Sequence, residues 1–67
     1  MEITINNQKQ TVADGTTVQA LVATHVGDKQ KGIAVAVNNA VIQKQLWEQT
    51  FINNNDNILI IKATQGG

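Results

Sequence analysis

Few residues in this chain could do chemistry, and the most distinctive are the last two, Gly66-Gly67. Glycine has no Cβ and admits backbone angles and close approaches that other residues cannot. A chain that leaves the apolar run Ile58-Leu59-Ile60-Ile61 and stops on two glycines presents a slim, unhindered carboxylate. On the dipeptide alone, a reactive carboxylate and an ordinary frayed end both remain open. The other reactive types are sparse. There is no cysteine, which excludes disulfides, thiolate metal sites and cysteine catalysis. His25 is the sole histidine and comes with no cysteine or acidic cluster, so a structural or solvated role outweighs a catalytic one. Asp14, Asp28, Glu48 and Asp56 are dispersed without metal-ligand spacing and suit turns and caps. Gly15, Gly27 and Gly32 stand alone, so no phosphate-cradling loop is present.

Any role for the terminus therefore depends on the body that carries it. With 67 residues the chain makes one small domain with little stability to spare. The formal charge is zero, and Lys9, Lys29, Lys31, Lys44 and Lys62 are scattered, which argues against a nucleic-acid partner. No export signal and no run of membrane-spanning length is visible, so a cytosolic, membrane-free protein is expected.

Periodicity supplies the elements. Ile3 and Ile5 alternate with Glu2 and Thr4, Asn6-Asn7 can turn, and Gln8 to Val12 returns with Val12 as its apolar anchor: a hairpin. Val18, Leu21, Val22 and Val26 form one stripe of a helix of about nine or ten residues, dependent on packing for its stability. Thr16 or Thr17 can cap that helix, with Thr16 and Gln19 at capping-box spacing, and Gly27 suits its C-terminal end. After a polar connection from Asp28 to Gly32, Ile33 to Val37 predicts a strand with Ile33, Val35 and Val37 on one face and Ala34 and Ala36 on the other. Asn38-Asn39 predicts a second tight turn into a short strand, Ala40 to Ile42. Gln43 to Gln49 suits a short helical turn in which Trp47 shields the core, and Phe51-Ile52 is a brief apolar patch before the turn Asn53 to Asp56. The final strand is expected from Asn57 to Ala63, with residues 64–67 as tail.

Four consecutive aliphatics suit no sheet edge, so the final strand is expected in the centre, and pairing it in parallel with the first strand gives a β-grasp order. The expected fold is α+β: a mixed sheet of about four or five strands with one main helix on one face, the β-grasp arrangement of ubiquitin. Residues 1–63 would form this domain and residues 64–67 a flexible Gly-Gly tail.

The pieces Ile3-Thr4-Ile5-Asn6, Gly15-Thr16-Thr17-Val18, Ala34-Val35-Ala36-Val37-Asn38, Val41-Ile42, Trp47, Asp56-Asn57-Ile58-Leu59-Ile60 and Gly66-Gly67 follow one another at family spacing. Taken together over essentially the whole chain, they resemble the ThiS family of thiamine-biosynthesis sulfur carriers. Gln43-Lys44 depart from that family's common Pro-Arg, and lysine keeps the charge without arginine's planar fork.

The resemblance implies a carrier, not an enzyme, with no permanently bound cofactor. An E1-like, ThiF-type adenylyltransferase would use ATP to adenylate the Gly67 carboxylate. Sulfur from a cysteine persulfide would then replace AMP, and the resulting thiocarboxylate would give its sulfur to a ThiG-type thiazole synthase. Gly66, Gln65 and Thr64 would provide access, since four extended residues span at most roughly 13–14 Å. If Ile58 and Ile60 face the helix, Leu59 and Ile61 lie on the outer face beside Ala34 and Ala36 and form the expected partner surface. Three other readings share the fold: a molybdopterin-synthase-type sulfur carrier, a ubiquitin-like conjugation tag, and a plain binding module with an incidental Gly-Gly.

Overall fold

The computed structural model describes residues 1–27 and 32–62. Five strands, β1 (Glu2–Ile5), β2 (Gln8–Thr11), β3 (Ile33–Val37), β4 (Ala40–Ile42) and β5 (Asn57–Lys62), are joined by one α-helix, α1 (Val18–Val26), and one 3₁₀ helix (Lys44–Gln49). The sheet runs β2-β1-β5-β3-β4, parallel between β1 and β5 and antiparallel elsewhere. The expected central position of the last strand is observed, and so is its parallel partner. Ala63, expected to end that strand, and the connection from Asp28 to Lys31 lie outside the described residues.

Both hairpins turn on an asparagine pair. Asn6 and Asn7 have φ of 50° and 70°, and Asn38 and Asn39 have 51° and 71°. Two successive positive φ angles make the tight turn whose twist matches the flanking strands, and asparagine tolerates them better than other side-chain-bearing residues. Two-residue turns also fix the register. Val37 pairs with Ala40, so Ala36 meets Val41 and Val35 meets Ile42.

Helix α1 begins at Thr17, whose hydroxyl oxygen accepts from the Ala20 amide at 3.1 Å. Thr16 does not act as the cap. Its hydroxyl donates to the Ala13 carbonyl at 2.6 Å, closing the turn before the helix, while Thr17 takes the cap position. Gly27 (φ 63°) ends the helix, and its amide donates to Ala23 O at 2.8 Å. The buried stripe is Val18, Leu21 and Val22, with Val26 partly covered.

That stripe meets Ile3 and Ile5 of β1, Ile58 and Ile60 of β5, and Val35 of β3, and Trp47 and Ile52 complete the core. Trp47 is fully buried beneath the 3₁₀ helix, with its indole N–H donating to Ile42 O at 3.0 Å. This satisfies the polar end of an otherwise apolar payload. Every β2 side chain is exposed, and Val12, expected as the anchor of that strand, packs against the core just beyond its end. A polar, short edge strand carrying Lys9 resists pairing with stray chains.

Candidate functional site

β5 is the element that carries the chain toward the terminal glycines, and it is held from both sides. On its β3 side, every residue from Ile58 to Lys62 has a cross-strand partner. On its β1 side the paired stretch is short, Thr4 with Asn57 and Ile5 with Ile58. Two asparagine side chains add to this. Asn38 accepts from the Asn57 amide at 2.9 Å, while its side-chain amide donates to the Asp56 carboxylate at 2.9 Å. Asn6 accepts from the Ile60 amide at 2.9 Å and donates to the Ile60 carbonyl at 3.3 Å. Asp56 is buried, and its other oxygen accepts from the Asn53 amide at 2.8 Å, so the loop ahead of β5 is closed by the same carboxylate.

The strand has two unlike faces. Ile58 and Ile60 point into the core, and Leu59 and Ile61 point to the opposite, helix-free face. On that face Ala34 stands opposite Ile61, Ala36 opposite Leu59, and Val41 opposite Ala36 on the far side. The expected set of Leu59, Ile61, Ala34 and Ala36 is thus brought together by register across β5 and β3. Burial corrects one detail. Ala36 is only 9% exposed, because its small side chain sits between Leu59 and Val41. The surface offered to solvent is instead Ile61 (53% exposed), Val41 (74% exposed), Ala34 and half-buried Leu59.

Val41 is a further member of this face, outside the set expected from strand period. The signal was available, since an Asn-Asn two-residue turn after Val37 forces Val41 opposite Ala36. Across the rest of the sheet, the same face carries Glu2 and Thr4 of β1 and Lys9 and Thr11 of β2. The apolar area therefore occupies the β5-β3-β4 part and has a polar border.

Thr64, Gln65, Gly66 and Gly67 lie outside the described residues. Elsewhere the chemistry-bearing types are apart. Among the described residues no group of three histidine, cysteine or carboxylate side chains could hold a metal ion. His25 lines an open groove of about 510 Å³ on the helix side, between α1 and the end of β2, with Gln10, Val12, Leu21 and Thr24. Asp14 lies 3.6 Å from the Met1 ammonium, and the other carboxylates among the described residues serve no common centre. No helix among the described residues is long and apolar enough to cross a membrane.

A family model described as "ThiS family" matches residues 1–67. The chain belongs to the ThiS family. Among its relatives is the sulfur carrier protein ThiS of Escherichia coli (strain K12), 31% identical over 67 residues and aligned over the full length of both chains. A crystal structure of the thiamine biosynthesis protein ThiS from Geobacter metallireducens matches with a TM-score of 0.85 at 22% identity, covering both chains completely. The solution structure of a thiamine biosynthesis protein from the same organism matches with a TM-score of 0.81 at 22% identity, covering all of this chain and 88% of that one. These likenesses confirm the β-grasp fold. As a ThiS-family chain, the molecule combines a helix-backed sheet, a central strand leading toward the glycines, and an apolar outer face beside that strand.

Proposed function

We propose that this protein is a sulfur carrier of thiamine biosynthesis whose reactive group is the Gly67 carboxylate. The single observation that carries the reading is the family match over residues 1–67, which includes Gly66-Gly67. The name of the E. coli relative supports it.

A carboxylate is a poor electrophile until one oxygen becomes a good leaving group. An ATP-dependent activating enzyme supplies this: a Gly67 oxygen attacks the α-phosphorus of ATP, pyrophosphate leaves, and an acyl adenylate forms. A cysteine persulfide of a partner then attacks the acyl carbon and expels AMP. Cleavage of the resulting acyl disulfide by a thiol leaves the thiocarboxylate, with a disulfide formed on the partner side. A chain without cysteine can supply neither the persulfide nor the thiol, so it serves as substrate and carrier. The thiocarboxylate finally passes its sulfur to a thiazole synthase. Glycine at both last positions keeps the acyl carbon open to each nucleophile.

The outer face of β5, β3 and β4 is the docking surface in this reading. Exposed contiguous apolar area on a small protein marks partner contact. Leu59, Ile61 and Ala34 would meet the activating enzyme and the synthase, with Val41 extending the contact across β4. Ala36 would serve mainly as the floor beneath Leu59 and Val41.

Mass spectrometry of the protein from sulfur-replete cells tests the reading. One terminal oxygen replaced by sulfur is the expected result. Isopeptide-linked adducts would instead indicate a conjugation tag, and an unmodified terminus under all conditions would overturn the carrier role. Deleting Gly67 should abolish growth without thiamine, and unimpaired growth would count against the pathway.

A further inference from the structure

We propose that Asn6 is a positioning residue for the reactive terminus, acting through the backbone of Ile60. The role rests on the carrier reading above, and the clamp on which it depends is a separate physical feature.

β1 ends at Ile5, and its last rung to β5 is Ile5 with Ile58. The Asn6 backbone amide still reaches Ile58 O at 2.9 Å, after which the Asn6-Asn7 turn takes the chain away into β2. β5 continues past this point to Lys62. The amide and carbonyl of Ile60 face the side that β1 has just left. A carboxamide sets an N–H donor and a carbonyl acceptor side by side in one plane, the two functions a peptide group offers a neighbouring strand. The Asn6 side chain uses both, accepting from Ile60 N at 2.9 Å and donating to Ile60 O at 3.3 Å. It therefore supplies the missing rung and holds β5 from both sides two residues farther along.

The turn does not require this. Position 6 needs a residue that tolerates φ near 50°, and glycine or aspartate would serve in such a turn. Glycine would leave Ile60 without either partner. Aspartate could accept from the amide but would set a carboxylate oxygen against the carbonyl. Only asparagine meets the turn's demand and also completes the rung. The other hairpin uses the corresponding residue in a related way, with Asn38 on the Asn57 amide. Both turns thus direct an asparagine carboxamide at the same strand, Asn38 at its start and Asn6 near its end. The second of these fixes the Ile60 backbone two residues before the end of β5, the strand that precedes the tail.

The test compares wild type with Asn6→Gly, Asn6→Asp and the control Asn7→Gly, which leaves the clamp in place. Amide hydrogen exchange reads the clamp: Ile60 should exchange about tenfold faster relative to Ile58 in Asn6→Gly, the scale of losing one hydrogen bond. Adenylation by the activating enzyme, followed as ATP–pyrophosphate exchange, reads the role. Asn6→Gly should keep the wild-type Kd for that enzyme, because the outer face is intact, and lose kcat about five- to tenfold through poorer orientation. Asn6→Asp should fall between, and Asn7→Gly should match wild type. Equal kcat for Asn6→Gly and Asn7→Gly, or a loss confined to Kd, would overturn the positioning role. Wild-type protein that accepts no adenylate would remove the carrier reading and this role with it. Unchanged Ile60 exchange in Asn6→Gly would remove the clamp, and with it the positioning role that acts through it, while leaving the carrier reading standing.

Discussion

Leu59 of β5 stands directly opposite Ala36 of β3 on the face of the sheet away from α1. With Val41 on its other flank, the alanine is nearly sealed, and the leucine is left half-buried with an accessible edge. A large residue over a small one produces a low, continuous apolar surface rather than a pocket, a form suited to a flat partner.

Leu59→Glu should therefore separate docking from folding. The side chain is only half-buried, so unfolding free energy should fall by no more than about 1–2 kcal/mol, while affinity for the proposed activating enzyme drops at least about tenfold. Urea melts and calorimetric titration check the two arms, and wild-type affinity would remove the face from the interface.

Val41→Asp makes a sharper version of the same test. Val41 is 74% exposed on an edge strand, so the change should alter stability by no more than about 0.5 kcal/mol. A clear loss of affinity at unchanged stability would place β4 in the contact, and an unchanged Kd would confine the contact to β5 and β3.

Trp47→Phe should cost about 1–3 kcal/mol in denaturant unfolding, because the Ile42 carbonyl loses its indole donor. Trp47→Ala removes the largest fully buried side chain, and about 3–5 kcal/mol is expected. In a domain of this size, that loss should leave a substantial unfolded fraction visible by NMR.

Asn38 allows strain and hydrogen bonding to be separated. Asn38→Gly keeps the positive φ but loses the bonds to Asn57 N and the Asp56 carboxylate, for about 1–3 kcal/mol. Asn38→Ala loses the same bonds and must also hold φ at 51°, so a further 1–2 kcal/mol or so is expected. Equal unfolding midpoints for the two variants would mean that the turn relaxes.

Thr17→Ala should destabilise by about 1 kcal/mol through loss of the helix cap, measured by thermal or urea unfolding. Thr16→Ala should cost less, since its hydroxyl bonds a carbonyl in an exposed turn.

Much of this architecture could be read from residue order. The alternation at Ile3 and Ile5, the stripe from Val18 to Val26 and the unbroken run from Ile58 to Ile61 each specify an element and its buried side. The central place of β5 follows from that run. Side-chain bonds between distant segments were not legible in the same way. Asn6 and Asn38 carry a visible signal for positive φ, but their carboxamides reach β5 only once the sheet is assembled. Thr16 and Thr17 offered the same hydroxyl to the same helix end, and the preceding turn decided between them by engaging Thr16. The outer face was legible by strand period, whereas the covering of Ala36 by its two larger neighbours depends on their sizes and register together.

The placement of β5 also bears on how the molecule comes into being. In the sheet, the β1–β2 hairpin and the β3–β4 hairpin are joined only through β5, and Thr4 must find Asn57 across most of the chain. Such distant pairing slows folding relative to neighbour contacts. Synthesis must pass Asn57 before the two halves can share a sheet, so a nascent chain halted earlier lacks the strand that joins its two hairpins, neither of which is a stable unit alone. Assembly of the body and arrival of the strand that leads to the glycines are then a single event, because a chain without that strand lacks the centre of its sheet.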